Sequence, residues 1–129
     1  MERITKGKLA QIITIKFLLK NNWEIYSPIT EDTKTDLIIK KDNKIILLQI
    51  KSIQASTWGP AIPVRKLSHN KTSHKSYLYE EKDANFIVGV NLETEDLYFV
   101  PYSYYKNYSS SMAISKLNTF LNNLDGAFE

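Results

Sequence analysis

The chain has 129 residues, of which 43% are apolar and 24% charged, a composition typical of a soluble globular domain. It contains no cysteine, which excludes disulfides, thiolate zinc sites and a cysteine nucleophile. The net charge is +3, but residues 1–82 hold 15 of the 17 Lys and Arg residues against 8 of the 14 Asp and Glu residues, which indicates a polyanionic partner.

Membrane and export signals are not expected in this sequence. No apolar run reaches the roughly 18 residues that a membrane span needs. The first residues lead into a helical pattern without a small-residue cleavage site, so they do not resemble a secretory signal. The expected compartment is therefore a reducing cytoplasm, with no membrane partner.

Residues 5–20 are predicted to form the first helix, with Thr5 as its cap and the asparagine pair that starts at Asn21 as its end. Apolar residues cover most of its circumference, so we expect it to be largely buried. Gly7 and Gln11 lie on one line of this helix. Because glycine lowers helix propensity, we expect it here to permit a close approach to the helix.

A strand over 23–28, a polar connector over 30–34 and a hairpin follow the helix. The two hairpin strands are predicted over 36–41 and 44–52. Asp-Asn between them suits a two-residue turn, because both residue types tolerate positive φ.

The hairpin turn fixes which residues face each other. With Lys41 opposite Lys44, Asp36 lies opposite Gln49, and both side chains point to one side of the sheet. Lys51 points to that side as well, because strand side chains alternate with period 2. The apolar neighbours Leu37, Leu48 and Ile50 point the other way.

The residues after the hairpin show a less regular pattern. The stretch 53–85 contains helix and strand breakers, with a short helical turn over 77–82. Strands are expected over 86–90 and 97–101, and a last helix over about 112–124, capped by the serine run 109–111. We find no repeat and no linker, so a single α/β or α+β domain over 1–129 is the simplest arrangement.

The three polar residues of the hairpin suit phosphodiester hydrolysis. Asp36 and Gln49 offer the oxygen ligands that Mg²⁺ prefers, and the peptide carbonyl of Ile50 is a further candidate metal ligand. A bound metal polarises phosphate and helps to generate hydroxide. Lys51 would hold the attacking water or stabilise charge in the transition state. The alternative is an ordinary strand-end Asp paired with a Lys across the sheet.

The order of these elements over 6–52 resembles the core of the PD-(D/E)XK nuclease superfamily. The later strand pair, Phe-Ile-Val-Gly-Val and Leu-Tyr-Phe-Val-Pro, resembles a subgroup that includes group I intron-encoded homing endonucleases of cyanobacteria. The resemblance implies an α/β, restriction-endonuclease-like fold, with a mixed central sheet flanked by helices. It also implies Mg²⁺-dependent, site-specific cleavage of double-stranded DNA by a homo-oligomer, with a tetramer as the expected state.

Two residues depart from the superfamily pattern. Gln49 stands at the acidic position of the (D/E)XK half, and Gln11 stands where the first helix usually carries Glu. The catalytic set that the resemblance implies is therefore Gln11, Asp36, Gln49 and Lys51, with one carboxylate among them. We expect DNA binding with impaired cleavage. The alternatives are a non-catalytic DNA-binding module on the same fold, and a junction-resolving or restriction-type nuclease.

Basic and polar residues concentrate in the acid-free stretch 65–75, which suits phosphate contacts and some base reading. A solvated loop is the alternative. Further phosphate contacts are expected close to the active face. The full set of expected DNA contacts is Lys6, Lys8, Lys34, Arg65, Lys66, His69, Asn70, Lys71, His74 and Lys75.

Aromatic residues are expected to serve packing more than base stacking. Five tyrosines lie within residues 98–108, where packing or an oligomer surface is favoured over contacts with bases. Trp23 and Trp58 are expected to anchor the core or a loop.

Neutralising Lys71 and Lys75 together should weaken DNA binding and flatten its salt dependence. With fewer phosphate contacts, fewer counterions are released when the DNA binds. The measurement is the dissociation constant across a salt series. An unchanged slope would count against this stretch as a DNA contact.

Overall fold

This computed structural model describes residues 2–30, 33–67 and 76–124. One long helix and a series of short strands are the main elements of these ranges. In chain order the elements are α1 (Arg3–Lys20), β1 (Glu24–Tyr26), β2 (Leu37–Lys41), β3 (Lys44–Ser52), β4 (Ala61–Pro63), β5 (Arg65–Leu67), β6 (Ser76–Leu78), β7 (Phe86–Val90), β8 (Leu97–Pro101), α2 (Tyr102–Tyr105) and β9 (Ser111–Ala113). Two 3₁₀ turns follow, Ile114–Lys116 and Asn118–Phe120.

The central sheet has five strands in the order β1-β2-β3-β7-β8. Only β3 and β7 run parallel, and the other neighbouring pairs are antiparallel. The β2-β3 hairpin has the predicted register, with Lys41 opposite Lys44 and Leu37 opposite Leu48. Asp42 in its turn has φ of 55°, as this kind of turn requires. The predicted hairpin and the strands β7 and β8 are thus confirmed.

Apolar clusters cover both faces of this sheet. On one face α1 packs against residues such as Leu48, Ile50 and Val88. On the other face Ile87 joins a cluster formed by β4, β9, α2 and the chain that follows. All five residues of β7 are buried, as expected for a strand covered on both sides.

Helix α1 differs from its prediction in two respects. It begins at Arg3 after Glu2, without a side-chain cap, so the cap expected at Thr5 is wrong. It ends at Asn21 as predicted. The expected burial is also wrong, because the sheet covers only the face that carries Ala10, Ile13, Thr14 and Leu18. Ile4, Ile12 and Leu19 on the remaining surface are exposed.

The predicted helix over 112–124 is wrong, as is its serine cap. This stretch forms β9, which pairs with β4, and two 3₁₀ turns. Leu121 then bridges to Tyr98, and the Asn122 side chain accepts the N–H of Leu97. Apolar residues at helical spacing contact separate partners here, and these distant contacts override the local preference.

The helical turn expected over 77–82 is also wrong. Strand β6 pairs with β5 instead and places Leu78 opposite Arg65.

Tyrosines later in the chain pack as predicted: Tyr104 stacks on Tyr108 and contacts Phe120 edge-on. Trp23 is buried, but Trp58 is 90% exposed, so its expected role as an anchor is wrong.

Two glycines have opposite surroundings. A Cβ at Gly89 in β7 would lie 2.1 Å from Cδ1 and 2.5 Å from Cγ1 of the buried Ile62 side chain. A Cβ at Gly7 would meet no described atom within 4 Å, so the close approach expected there is wrong. The glycine that the packing requires is therefore Gly89.

Gly89→Ala should lower the free energy of unfolding by about 1–3 kcal/mol, because the added methyl group overpacks against Ile62. Urea denaturation measures the change, and adding Ile62→Val should recover part of it by removing Cδ1. Gly7→Ala is the control, and it should leave stability unchanged or raise it by up to about 1 kcal/mol. Equal stability of the Gly89→Ala variant and the parent would contradict this packing.

Candidate active site

The pairing of β2 with β3 stops at Leu37, one residue after Asp36, whereas β3 continues to Ser52. The backbone N–H of Asp36 still donates to Leu48 O at 2.8 Å. The Asp36 carboxylate then accepts the N–H of Ile50 through Oδ2, also at 2.8 Å. The Asp36 side chain thus takes the place of the backbone acceptor that a longer β2 would offer to Ile50 of β3. This bond fixes the carboxylate at the edge of β3.

The connector before Asp36 is held against the segment between β6 and β7. Thr35 Oγ1 donates to the backbone oxygen of Asp83 at 2.5 Å. Lys34 Nζ lies 4.0 Å from Asp83 Oδ2 and 5.1 Å from the centroid of the Tyr77 ring. These contacts help to fix where Asp36 enters the sheet edge.

An open cleft of about 260 Å³ lies beside this edge. It brings together three residues of the predicted site, Gln11, Asp36 and Gln49, with Ile50. The other lining residues belong to the start of α1: Ile4, Gly7 and Lys8. Asp36 is the one carboxylate among the lining residues, and Lys8 is the one cation.

Gln49 presents a buried oxygen at this cleft. Its side chain is 7% exposed, and its amide nitrogen donates weakly to Ile50 O at 3.5 Å. The other side-chain atom, Oε1, has no hydrogen-bond partner among the described residues. A buried acceptor without a partner costs free energy and is typical of a position that a ligand completes.

The oxygen atoms at this cleft fit a divalent cation. The Asp36 carboxylate, Gln49 Oε1 and the Ile50 carbonyl are hard oxygen ligands of the kind that Mg²⁺ prefers. Within residues 2–30, 33–67 and 76–124, no cluster of three His, Cys, Asp or Glu side chains occurs that could hold a metal. A site here would therefore combine one carboxylate with neutral oxygens.

Lys51 lies beyond the residues that line this cleft. It follows Gln49 by two positions and so points to the same face of β3. Its Nζ donates to Arg65 O at 3.1 Å and lies 5.2 Å from the centroid of the Tyr79 ring. The ammonium is thus oriented by a backbone oxygen and an aromatic face.

Tyr79 is a site neighbour that the sequence did not reveal. The residue is 4% exposed, and its hydroxyl oxygen has no hydrogen-bond partner among the described residues. Burial and then the negative charge of Asp36 raise the pKa of Tyr79 far above its ordinary value, so the hydroxyl stays protonated. No spacing or motif in the sequence indicates this role for Tyr79, because Lys51 of β3 and Arg65 of β5 are distant from it in the chain.

A family model for PD-(D/E)XK endonucleases matches residues 1–119 of the chain. The chain belongs to the PD-(D/E)XK endonuclease family. This confirms the family resemblance and, together with the five-stranded mixed sheet, the predicted fold class. The protein is therefore a nuclease of the PD-(D/E)XK type.

A solved structure of a bacterial homing endonuclease, I-Ssp6803I, has the same fold as this nuclease. The two chains superpose with a TM-score of 0.77 and 24% identity, over 87% of this chain and 77% of the other. A comparison with curated proteins finds no match. None of the helices that the structure describes has the length and hydropathy of a membrane span.

The expected DNA contacts of this nuclease lie in different places. Lys8 lines the Asp36 cleft, whereas Lys6 borders a second, larger cleft of about 830 Å³ together with Arg3. Lys34 contacts Asp83 and Tyr77, as described above. Arg65 Nε donates to the backbone oxygen of Ser109 at 2.5 Å.

The central part of the predicted DNA-binding stretch lies outside the described residues. This applies to His69, Asn70, Lys71, His74 and Lys75. The backbone of Lys66 lies in β5, opposite Tyr77. The expected roles of these residues stay predictions.

Proposed function

We propose that this PD-(D/E)XK nuclease cleaves double-stranded DNA at specific sites with Mg²⁺, in the manner of intron homing, and works as a homo-oligomer. The observation that carries the proposal is the cleft in which Gln11, Asp36, Gln49 and Ile50 meet beside Lys8. The similarity in fold to I-Ssp6803I, a bacterial homing endonuclease, supports the choice of DNA and of homing.

The Asp36 carboxylate, Gln49 Oε1 and the Ile50 carbonyl would hold the Mg²⁺ ion. The unpartnered Gln49 oxygen supports this assignment, because a cation would satisfy it. When bound, the ion polarises the phosphate and lowers the pKa of water for attack on phosphorus.

Positive side chains beside the cleft would stabilise the DNA phosphate. Lys8 lines the cleft and attracts the phosphate backbone. Lys51, held by Arg65 O and the Tyr79 ring, would oppose the charge that grows on the phosphate oxygens in the transition state. Arg3 and Lys6, at the larger cleft, extend the positive surface along α1.

Gln11 limits the chemistry of the cleft in this chain. A glutamine retains the shape and one oxygen of a glutamate, but it carries no charge and cannot take a proton from water. Asp36 then provides the only carboxylate charge among the lining residues. We therefore propose that the chain binds DNA and cleaves it slowly.

The second candidate function is a non-catalytic DNA-binding module. The neutral pair Gln11 and Gln49 favours it, because two amides replace the usual acids. A junction-resolving or restriction-type nuclease is the third candidate, and the DNA structure that the chain prefers would distinguish it.

Self-association follows from the substrate, and a tetramer is the state that the family resemblance implies. One cleft serves one strand, so cutting both strands with this domain needs at least two copies. The exposed apolar residues Ile4, Ile12 and Leu19 on α1 support an additional contact surface.

Gln11→Glu should raise the metal-dependent cleavage rate by about 10²–10⁴-fold, because it adds a charge and a proton acceptor to the cleft. A nicking assay on supercoiled DNA with Mg²⁺ or Mn²⁺ measures the rate. Gln54→Glu is the matched control, since Gln54 borders the larger cleft instead. Equal rates for the parent and the Gln11→Glu variant would remove the role proposed for Gln11 and favour the binding module.

Mg²⁺ should raise the melting temperature of the parent chain, because an ion that binds only the folded state adds about 2.7 kcal/mol at 100 times its dissociation constant. Asp36→Asn should abolish most of this gain while its amide oxygen still accepts the N–H of Ile50. Asp42→Asn makes the same change in the hairpin turn and should leave the gain intact. A gain that survives in Asp36→Asn would place the ion elsewhere.

A further inference from the structure

Tyr79 has a buried hydroxyl that no described group satisfies, and its ring lies beside Lys51 of the proposed catalytic set. We propose that this hydroxyl donates a hydrogen bond to an oxygen of the DNA phosphate in the active site, while its ring orients the Lys51 ammonium. The inference rests on the proposed function and adds Tyr79 to the residues that contact substrate.

Contacts with Lys51 place Tyr79 at the site. The Lys51 ammonium lies 5.2 Å from the centroid of the Tyr79 ring and donates to Arg65 O at 3.1 Å. An ammonium held over an aromatic face keeps its charge and loses little freedom when an anion arrives. Replacing the ring should therefore disturb the orientation of the Lys51 ammonium even if the hydroxyl made no contact with the substrate.

The same cluster contains a tyrosine whose hydroxyl is satisfied. Tyr105 is as buried as Tyr79, and its hydroxyl donates to the backbone oxygen of Ala84 at 2.5 Å. Both rings belong to one apolar cluster. The cluster can therefore satisfy a buried phenol, and the unsatisfied hydroxyl is specific to the position of Tyr79. Retaining it costs stability, which indicates a partner that arrives with a ligand.

The donor character of the hydroxyl determines what that partner can be. A phenol hydroxyl donates one hydrogen bond, and phosphate oxygens are acceptors. The Lys51 ammonium, 5.2 Å from the centroid of the Tyr79 ring, is the group proposed to oppose charge on the same phosphate. The phosphate oxygens of DNA therefore match this hydroxyl in chemistry, and Lys51 connects it to the proposed active site.

The first test compares Tyr79→Phe with Tyr105→Phe, in both the parent and the Gln11→Glu background. The DNA is a duplex selected for binding to the chain from a random-sequence library. Tyr79→Phe should lower the single-turnover cleavage rate about ten- to hundredfold, the range of one hydrogen bond to a charged group. Its unfolding midpoint should be unchanged or higher, because an unsatisfied hydroxyl has been removed.

Tyr105→Phe should show the reverse, with a lower unfolding midpoint and an unchanged cleavage rate, because it leaves the Ala84 carbonyl without its donor. Loss of activity without loss of stability distinguishes a substrate contact from a structural role. If Tyr79→Phe cleaves at the parental rate, or if it is destabilised like Tyr105→Phe, the inference is wrong.

The second test needs no cleavage. Tyrosine labelled with ¹³C at Cζ reports hydrogen bonding of the hydroxyl, and the signal that is missing in Tyr79→Phe belongs to Tyr79. This signal should shift when the selected duplex is added with Ca²⁺, and stay in place with Ca²⁺ alone. No shift with DNA, or the same shift with the ion alone, would overturn the inference.

The two proposals fail in different ways. If no duplex is selected, the proposed function fails, and the inference about Tyr79 falls with it. If DNA binds and Gln11→Glu cleaves it, but the Tyr79 signal and the Tyr79→Phe rate do not change, only the inference about Tyr79 fails.

Discussion

The hydrogen bond between the Asp36 carboxylate and the N–H of Ile50 is the contact on which the candidate site depends. Strand β3 extends past the start of β2, so the next backbone donor on that edge has no strand partner. An unpaired buried N–H is costly, and a carboxylate is a strong acceptor for it. One interaction thus ends the β-ladder, fixes the acidic oxygen beside Gln49 and leaves the edge of β3 open to the cleft.

This open edge lets residues from opposite faces of the sheet meet. Helix α1 packs on the face that carries Ile50, whereas Gln49 and Lys51 point to the other face. Where β2 is absent, Gln11 of α1 and Gln49 of β3 line the same cleft. On the second face, the chain between β6 and β7 adds Tyr79 next to Lys51. The site is therefore formed by residues from the ends of several elements and not by one contiguous motif.

Two buried polar atoms at this site, Gln49 Oε1 and the Tyr79 hydroxyl, lack partners among the described residues. Elsewhere in the described part of the chain, comparable buried groups have partners, as the hydroxyls of Thr14 and Tyr105 illustrate. Proteins accept such local costs mainly where a ligand supplies the missing partner. A cation at the Gln49 oxygen and a phosphate oxygen at the Tyr79 hydroxyl are the partners that the proposed function would supply.

The sequence by itself determined the hairpin, the two later strands, the end of α1 and the family, because turn stereochemistry, alternation and motif order can be read from the chain itself. The hairpin register also predicted Asp36 opposite Gln49; the observed ladder ends one residue earlier, at Leu37 opposite Leu48, and both residues line one cleft. Only the tertiary structure decided which surface of α1 is covered, that 112–124 pairs with β4 and β8 instead of forming a helix, and that Tyr79 reaches Lys51. These features depend on contacts between residues distant in the chain, and no local pattern of hydrophobicity carries that information.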